Sequence, residues 1–328
     1  MEQSVPSQAR SVCDPALLQR VAWSMRWQSR AQSLEYAGRA LELLKGDTSA
    51  PATIRRGQVL VTLAWQAKWR GDFDAAMTHA LRAEGLLSEQ THPAERGQLY
   101  ALLGVIYYSR QRLDLANCAV SRGLKLVGPE VDPAVHIDLL TTLATTQRYR
   151  GDFKSAGETL GRARALAAGA ELARVEHNVA RWMQADDAAS HALTHAEAAL
   201  ELAEEHQNRV ILPYAHEILG ACLVDLGRYD EAEGHFVKGL DMAIEDDDTR
   251  AQCQIVSWHA FLEEKRGDFP KARDFYRFGS EIAKKMQYAL WEKRFSRGLA
   301  DVYEALGDYK NAVAAHKLAW RLEDEKRQ

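Results

Sequence analysis

The stretch "RGDF" occurs three times, at Arg70–Phe73, Arg150–Phe153 and Arg266–Phe269. Arg-Gly-Asp can be read as an adhesion tripeptide shown to a receptor, or as punctuation that the chain needs repeatedly for a structural reason. Spacing separates the two. Aligning the positions equivalent to the glycine gives a ladder of Gly71, Gln111, Gly151, Asp187, Gly227, Gly267 and Gly307, with steps of 40, 40, 36, 40, 40 and 40 residues. A fixed internal period of this kind marks a solenoid and outweighs the two-domain expectation that 328 residues would otherwise carry.

The columns around the ladder have a consistent chemistry. Five residues after it stands alanine every time: Ala76, Ala116, Ala156, Ala192, Ala232, Ala272 and Ala312. Twelve after it the residue is Ala or Gly: Ala83, Gly123, Ala163, Ala199, Gly239, Gly279 and Ala319. Seven before it the residue is again small: Ala64, Gly104, Ala144, Ala180, Gly220, Ala260 and Ala300. Eight before it stands a large aliphatic, as in Leu63, Leu103, Leu143, Val179, Leu219 and Leu299, with His259 the exception. Offsets of five and twelve differ by seven, two turns along one helical face. Small side chains there and on the preceding helix let two helices approach closely. An aromatic or leucine two after the ladder (Phe73, Leu113, Phe153, Tyr229, Phe269, Tyr309) can anchor the start of the second helix.

The unit is therefore helix, tight turn, helix. The glycine ends the first helix where a left-handed residue is needed, and the following Asp is suited to cap the second and to complement its dipole. Asp187, which replaces the glycine in the fifth unit, is of a type that tolerates the left-handed region. The arginine of "RGDF" reads as incidental, because equivalent turns are "GRYD" at Gly227 and "GDYK" at Gly307.

This pattern resembles the tetratricopeptide repeat (TPR) family, in the small residue of the first helix, the "GD[FY]" turn, the alanine five later and the small residue seven beyond that. The resemblance covers seven units from about Thr53 to Leu322, with a weaker first unit at Pro15–Lys45 that keeps Ala37 but has Met25 where a small residue is expected. The forty-residue period is similar to that of long-helix TPR arrays in bacterial regulators. It implies an all-α, right-handed superhelix of about eight helix-turn-helix pairs with no sheet. A flexible N-terminus is expected over residues 1–14. A single TPR solenoid is expected over 15–328, with units near 15–45, 52–88, 93–127, 133–168, 170–206, 209–245, 248–286 and 288–326.

Composition narrows the function. Net charge is −4, which gives no ground for general nucleic-acid binding, although residues 1–164 carry 21 Lys/Arg against 16 Asp/Glu and the remainder is acidic. "MEQSVPSQAR" has neither a basic n-region nor an apolar stretch, so no secretory signal is expected. No window is apolar for long enough to span a membrane. Cys13, Cys118, Cys222 and Cys253 are scattered without a CxxC pair, which fits a reducing cytoplasm better than a disulfide framework.

Phosphate-loop, nucleophile-elbow, zincin and dinucleotide motifs are all missing, so an enzyme is not expected and no cofactor is implied. "HEILG" at His216–Gly220 lacks the second histidine of a zinc helix. His191 and His195, with Asp187 one turn earlier, have metal-compatible spacing. However, "ALTHA" at Ala192–Ala196 aligns with "AMTHA" at Ala76–Ala80 as a variable second-helix position, so no metal site is assigned. His259 is read as a hydrogen-bonded core histidine, with a pH- or ligand-sensing role as the alternative.

The TPR resemblance implies that first-helix side chains line a concave groove where partners dock. The corresponding positions are Trp65, Lys68, Trp69, Tyr108, Arg148, Tyr149, Arg174, His177, Arg181, Tyr214 and Glu217. Asp225, Glu264, Asp301 and Glu304 continue the row, with Lys265, Arg294 and Arg297 among them. Aromatics and arginines are the side chains that concentrate binding energy, and a cluster of Arg148, Arg174 and Arg181 could clamp a carboxylate or phosphate. The expected function is a cytoplasmic, non-enzymatic scaffold or adaptor that binds a protein or peptide ligand in its groove. The alternative is a sensory module that binds a small molecule or signalling peptide and controls a transcriptional, cyclic-nucleotide or kinase effector in trans. Trp23 and Trp27 read as exposed and make a homodimer a further expected partner, whereas membrane and nucleic acid are not expected. "RLEDEKRQ" at Arg321–Gln328 reads as a solvated end face.

Overall fold

The computed structural model describes residues 13–186, 188–286 and 288–324, and every regular element among them is a helix. The ladder positions are where helices stop. The backbone turns left-handed at Gly71, Gly151, Gly227, Gly267 and Gly307, with φ between 74° and 81°, and also at Gln111, where φ is 58° on a residue with a side chain. Where an aspartate follows, it serves both helices. Its N–H donates to the carbonyl five residues back, as in Asp152 to Gln147 and Asp268 to Glu263, both within 3.0 Å. Its side chain then accepts from the next helix, at 2.9 Å from the Ala75 N–H for Asp72, 3.1 Å from Ser155 for Asp152 and 3.1 Å from Lys271 for Asp268. Asp187 lies outside the described residues, as do 1–12 of the expected flexible N-terminus and 325–328 of the polar C-terminal stretch.

The chain divides into two compact units. The first comprises residues up to Lys68, Asp72–Glu171 and Gln207–Val210. It holds the helices α1 (Pro15–Ser24), α2 (Arg30–Leu43), α3 (Ala50–Trp69), α4 (Phe73–Glu84), α5 (Pro93–Ser109), α6 (Leu113–Leu126), α7 (Pro133–Tyr149) and α8 (Phe153–Leu166). The second comprises Trp69–Gly71, Leu172–His206 and the chain from Ile211 onward. Its helices are α9 (Gly169–Ala185), α10 (Ala189–Glu205), α11 (Leu212–Asp225), α12 (Tyr229–Glu245), α13 (Thr249–Arg266), α14 (Phe269–Lys285), α15 (Ala289–Ala305) and α16 (Tyr309–Asp324). Inside a unit, helices pack on their pair-mates and on the pair that follows, as α5 does on α6 and α7 in the first and α11 on α12 and α13 in the second.

The three columns of small residues are the seams of this packing. All seven alanines at the +5 column are buried, from Ala76 to Ala312. Glycines in the other columns make notches that neighbouring side chains fill. In the first unit Val120 and Thr142 occupy the space at Gly104, and Leu139 and Tyr100 that at Gly123. In the second unit the Phe236 ring fills the notch at Gly220 and the Phe295 ring that at Gly279. Both rings are fully buried, and burial of a Phe side chain stabilises by about 1.5–3 kcal/mol.

Two expectations need correcting. The first helix of the weak opening unit leaves α geometry at Met25 and continues as a 3-10 turn over Met25–Trp27. There Trp23 and Trp27 are not bare surface. The Arg26 guanidinium lies 3.7 Å from the centre of the Trp23 ring and 5.0 Å from that of Trp27, and burial lowers its pKa to about 10. The "RGDF" arginine is not incidental either. An arginine just before the turn pairs with an acid three after the previous turn, as Arg110–Asp74, Arg150–Asp114 and Arg266–Asp230. Each pair ties one repeat to the next along the turn edge.

Candidate functional site

First helices carry the residues expected to meet a partner, and the structure sorts them. In the first unit Trp65, Lys68 and Tyr108 are buried. The Lys68 ammonium lies 5.0 Å from the centre of the Trp65 ring. Tyr108 stacks on Tyr149 with centroids 5.6 Å apart, and Arg148 lies 4.7 Å over the other ring of this pair, that of Tyr149. Tyr149 is half exposed and Arg148 partly so, which makes them the expected residues of this unit that reach solvent.

In the second unit Trp69, His177, Tyr214 and Glu217 are buried and packed together. Tyr214 stands 5.9 Å from Trp69 and 6.0 Å edge-on from His177, and its hydroxyl donates to Asp248 at 3.1 Å. Arg181 forms an ion pair with Glu217, a residue with no exposure, and its other near neighbour is His177 at 3.4 Å. Arg174 is partly exposed. Of the proposed arginine cluster, Arg148 belongs to the first unit and Arg174 and Arg181 to the second. The guanidinium of Arg181 is already engaged by a carboxylate.

Farther along, first helices α13 and α15 leave an open cavity of about 340 Å³ between them, closed at one side by α14. Ser257, Trp258, Phe261 and Glu264 reach it from α13, Tyr276 from α14, and Arg294, Gly298 and Asp301 from α15. Trp258 and Phe261 meet edge to face at 5.6 Å. Gly298 is small for a reason, because a Cβ there would collide with the Tyr276 ring. The Tyr276 hydroxyl donates to Glu264. Burial raises the Glu264 carboxyl above its ordinary value; the tyrosine hydrogen bond opposes that rise and the charge of Asp301 adds to it. Arg294, on the exposed rim, lies 5.1 Å over the Trp291 ring.

Two carboxylates against one guanidinium, with flat aromatic walls, suit a cationic or planar guest of amino-acid side-chain size. Sequence reading placed Glu264, Asp301 and Arg294 in the row but passed over Trp258, Phe261 and Tyr276. A signal was present: Phe261 stands six before its ladder glycine, the offset at which Trp65 and Arg181 were singled out.

No helix among the described residues is long and apolar enough to cross a membrane. Of the metal-spaced residues, His195 is paired with Glu176 of α9, and Asp187 lies outside the described residues.

No family model matches the sequence, and no curated protein does. Solved structures do match by shape. The Rap conjugation gene regulator of plasmid pLS20, in complex with the Phr* peptide, superposes with a TM-score of 0.69 at 13% identity, covering 95% of each chain. A Rap protein complexed with Competence and Sporulation Factor gives 0.64 at 15% identity, over 95% of this chain and 98% of that one. A signal-transduction ATPase with a tetratricopeptide repeat sensor, from Pyrococcus horikoshii, gives 0.51 at 15% identity, over 95% of this chain and 48% of that one. The chain is an all-helical array of TPR type.

Proposed function

We propose that the chain is a non-enzymatic binding module that takes a peptide or protein segment across its first-helix faces and anchors a basic side chain of that segment in the cavity between α13 and α15. The cavity carries this reading: it is open, walled by aromatic rings and lined by two carboxylates of which one is already strained by burial. An arginine or lysine side chain would stack on Trp258 or Phe261 and bring its charge to Glu264 and Asp301. Support comes from two solved structures of the same fold that hold a bound partner, the Phr* peptide in one and Competence and Sporulation Factor in the other. Arg148 and Tyr149 offer a second, separate contact for a partner of the same class.

A regulatory role is the form of this function we favour, since the structure that holds the Phr* peptide is named as a conjugation gene regulator. Binding would then act on an effector supplied by another chain. The test is a random-peptide selection on the full chain, followed by titration of the enriched peptides and of versions with arginine replaced by citrulline. Enriched peptides should share a basic residue. The Glu264→Gln, Asp301→Asn double variant should weaken them about tenfold or more, the worth of a hydrogen bond to a charged group. Selection of peptides with no common basic residue, or affinity unchanged in the double variant, would overturn the assignment.

A further inference from the structure

His259 stands in a column where six other repeats carry Leu or Val, and the expectation of a hydrogen-bonded core histidine does not hold for its Nδ1, which has no hydrogen-bond partner. The residue is 5% exposed and lies face to face with Phe275 at 4.0 Å. One turn along α13 is Glu263, 1% exposed, whose Oε2 is also without a partner. Glu233 of α12 reaches the same spot. One donor atom from each of the three residues lies within 4.8 Å of the other two. Two buried polar atoms left without partners so near each other cost folding free energy.

We propose that Glu233, His259 and Glu263 form a site for a divalent transition-metal ion of the zinc class, with solvent as the remaining ligand. One imidazole and two carboxylates form a donor set for such an ion. The i, i+4 pair His259 and Glu263 projects from one face of α13, and Glu233 closes the site from the neighbouring helix.

Arg266 supplies the outer support. Its Nη1 donates to Glu233 Oε2 at 2.7 Å and to Glu263 Oε1 at 3.1 Å, and its Nη2 donates to Asp230 at 2.7 Å. Holding one oxygen of each carboxylate fixes how the other is presented, as outer-shell partners of metal ligands do. The charge count agrees. Glu233, Glu263 and Asp230 face the single positive charge of Arg266, which leaves two negative charges for a dication to balance. Lys271, the other cation near His259, is paired with Asp268. The site lies in the second unit and does not depend on the peptide-binding reading.

The experiment uses the full chain, stripped with chelator and titrated with Zn²⁺ by calorimetry and with Co²⁺ by visible absorbance. One equivalent should bind, the Co²⁺ form should show ligand-field bands, and Zn²⁺ should raise the melting temperature. His259→Leu restores the residue type of the repeat column and so should fold; Glu233→Gln changes a partly exposed side chain. Each should weaken binding about tenfold or more while helix content without metal stays unchanged. Absence of saturable binding by the native chain would overturn the proposal. So would equal binding by both variants, which would put the ion on other acidic groups.

Discussion

Gly279→Ala adds one methyl group at a seam of the repeat and should destabilise the protein, although alanine is the better helix former. The added Cβ would lie 2.8 Å from Cε2 of Phe295 and closer still to Cζ and Cε1 of that ring. Phe295 has no exposure, so its ring has no solvent-side space to swing into. Overpacking of this kind costs about 1–3 kcal/mol, with the upper part of the range fitting three close ring atoms. Gain in helix propensity returns about 1 kcal/mol. The net loss is about 1–2 kcal/mol. Gly234→Ala on α12 is the control, because nothing lies within 4 Å of its Cβ position. It should gain about 0.5–1 kcal/mol. Both positions lie in the second unit, so urea titration read by helix signal compares the same cooperative element, provided the slope m is unchanged. The propensity contribution cancels between the two variants, leaving a difference of about 2–3 kcal/mol from packing alone. A Gly279→Ala protein as stable as the native chain, beside a stabilised Gly234→Ala, would mean that the ring yields freely and that the small-residue column is not a packing requirement.

Arg181→Ala removes the partner of the fully buried Glu217 carboxylate, whose Oε1 has no second hydrogen bond, and should cost about 3–5 kcal/mol. Arg181→Leu combined with Glu217→Leu should recover most of that loss; a single variant within 1 kcal/mol of native, as about the value of an exposed pair, would show the pair to be dispensable. His216 predicts a pH dependence. Burial, aided by the charges of His235 and Lys238, lowers its pKa from 6.5 to about 4. The unfolded chain takes up a proton below pH 6.5 that the folded chain refuses, so stability present above pH 6.5 falls as pH drops towards about 4 and levels off below it. His216→Gln should flatten that part of the urea-midpoint profile, and an identical slope in the variant would refute the assignment.

The fold was legible because its requirements are local and periodic. A residue suited to a left-handed turn between paired helices, an Asp that caps the next helix where it follows that turn, and a small side chain at each crossing can all be read from neighbours in sequence. Gln111 shows how strong the pattern is, since the backbone turns left-handed there even without glycine. The candidate site was less legible. Trp65, Trp69 and Tyr214 occupy first-helix positions like those of Tyr149 and Phe261, but long-range packing decides which of them face solvent. Tyr214 is drawn inward by an acceptor 34 residues away, Asp248. Arg181 looked like an anion clamp because Glu217 lies in the following repeat. Had offsets been compared across repeats for charge as well as size, the arginine–acid pairs 36 residues apart would have been visible.

Those pairs carry a consequence for mechanics. They bridge repeats at the turn edge, and they are ionic while the seam itself is apolar. Added salt screens them and leaves the apolar contacts in place, so each pinned junction should soften in bending without losing helix. Leu226 and Leu306 stand where the pinned junctions have arginine, and no such pin can form there. Ionic strength thus becomes a dial for the stiffness of particular joints, with the helices acting as the rigid struts between them.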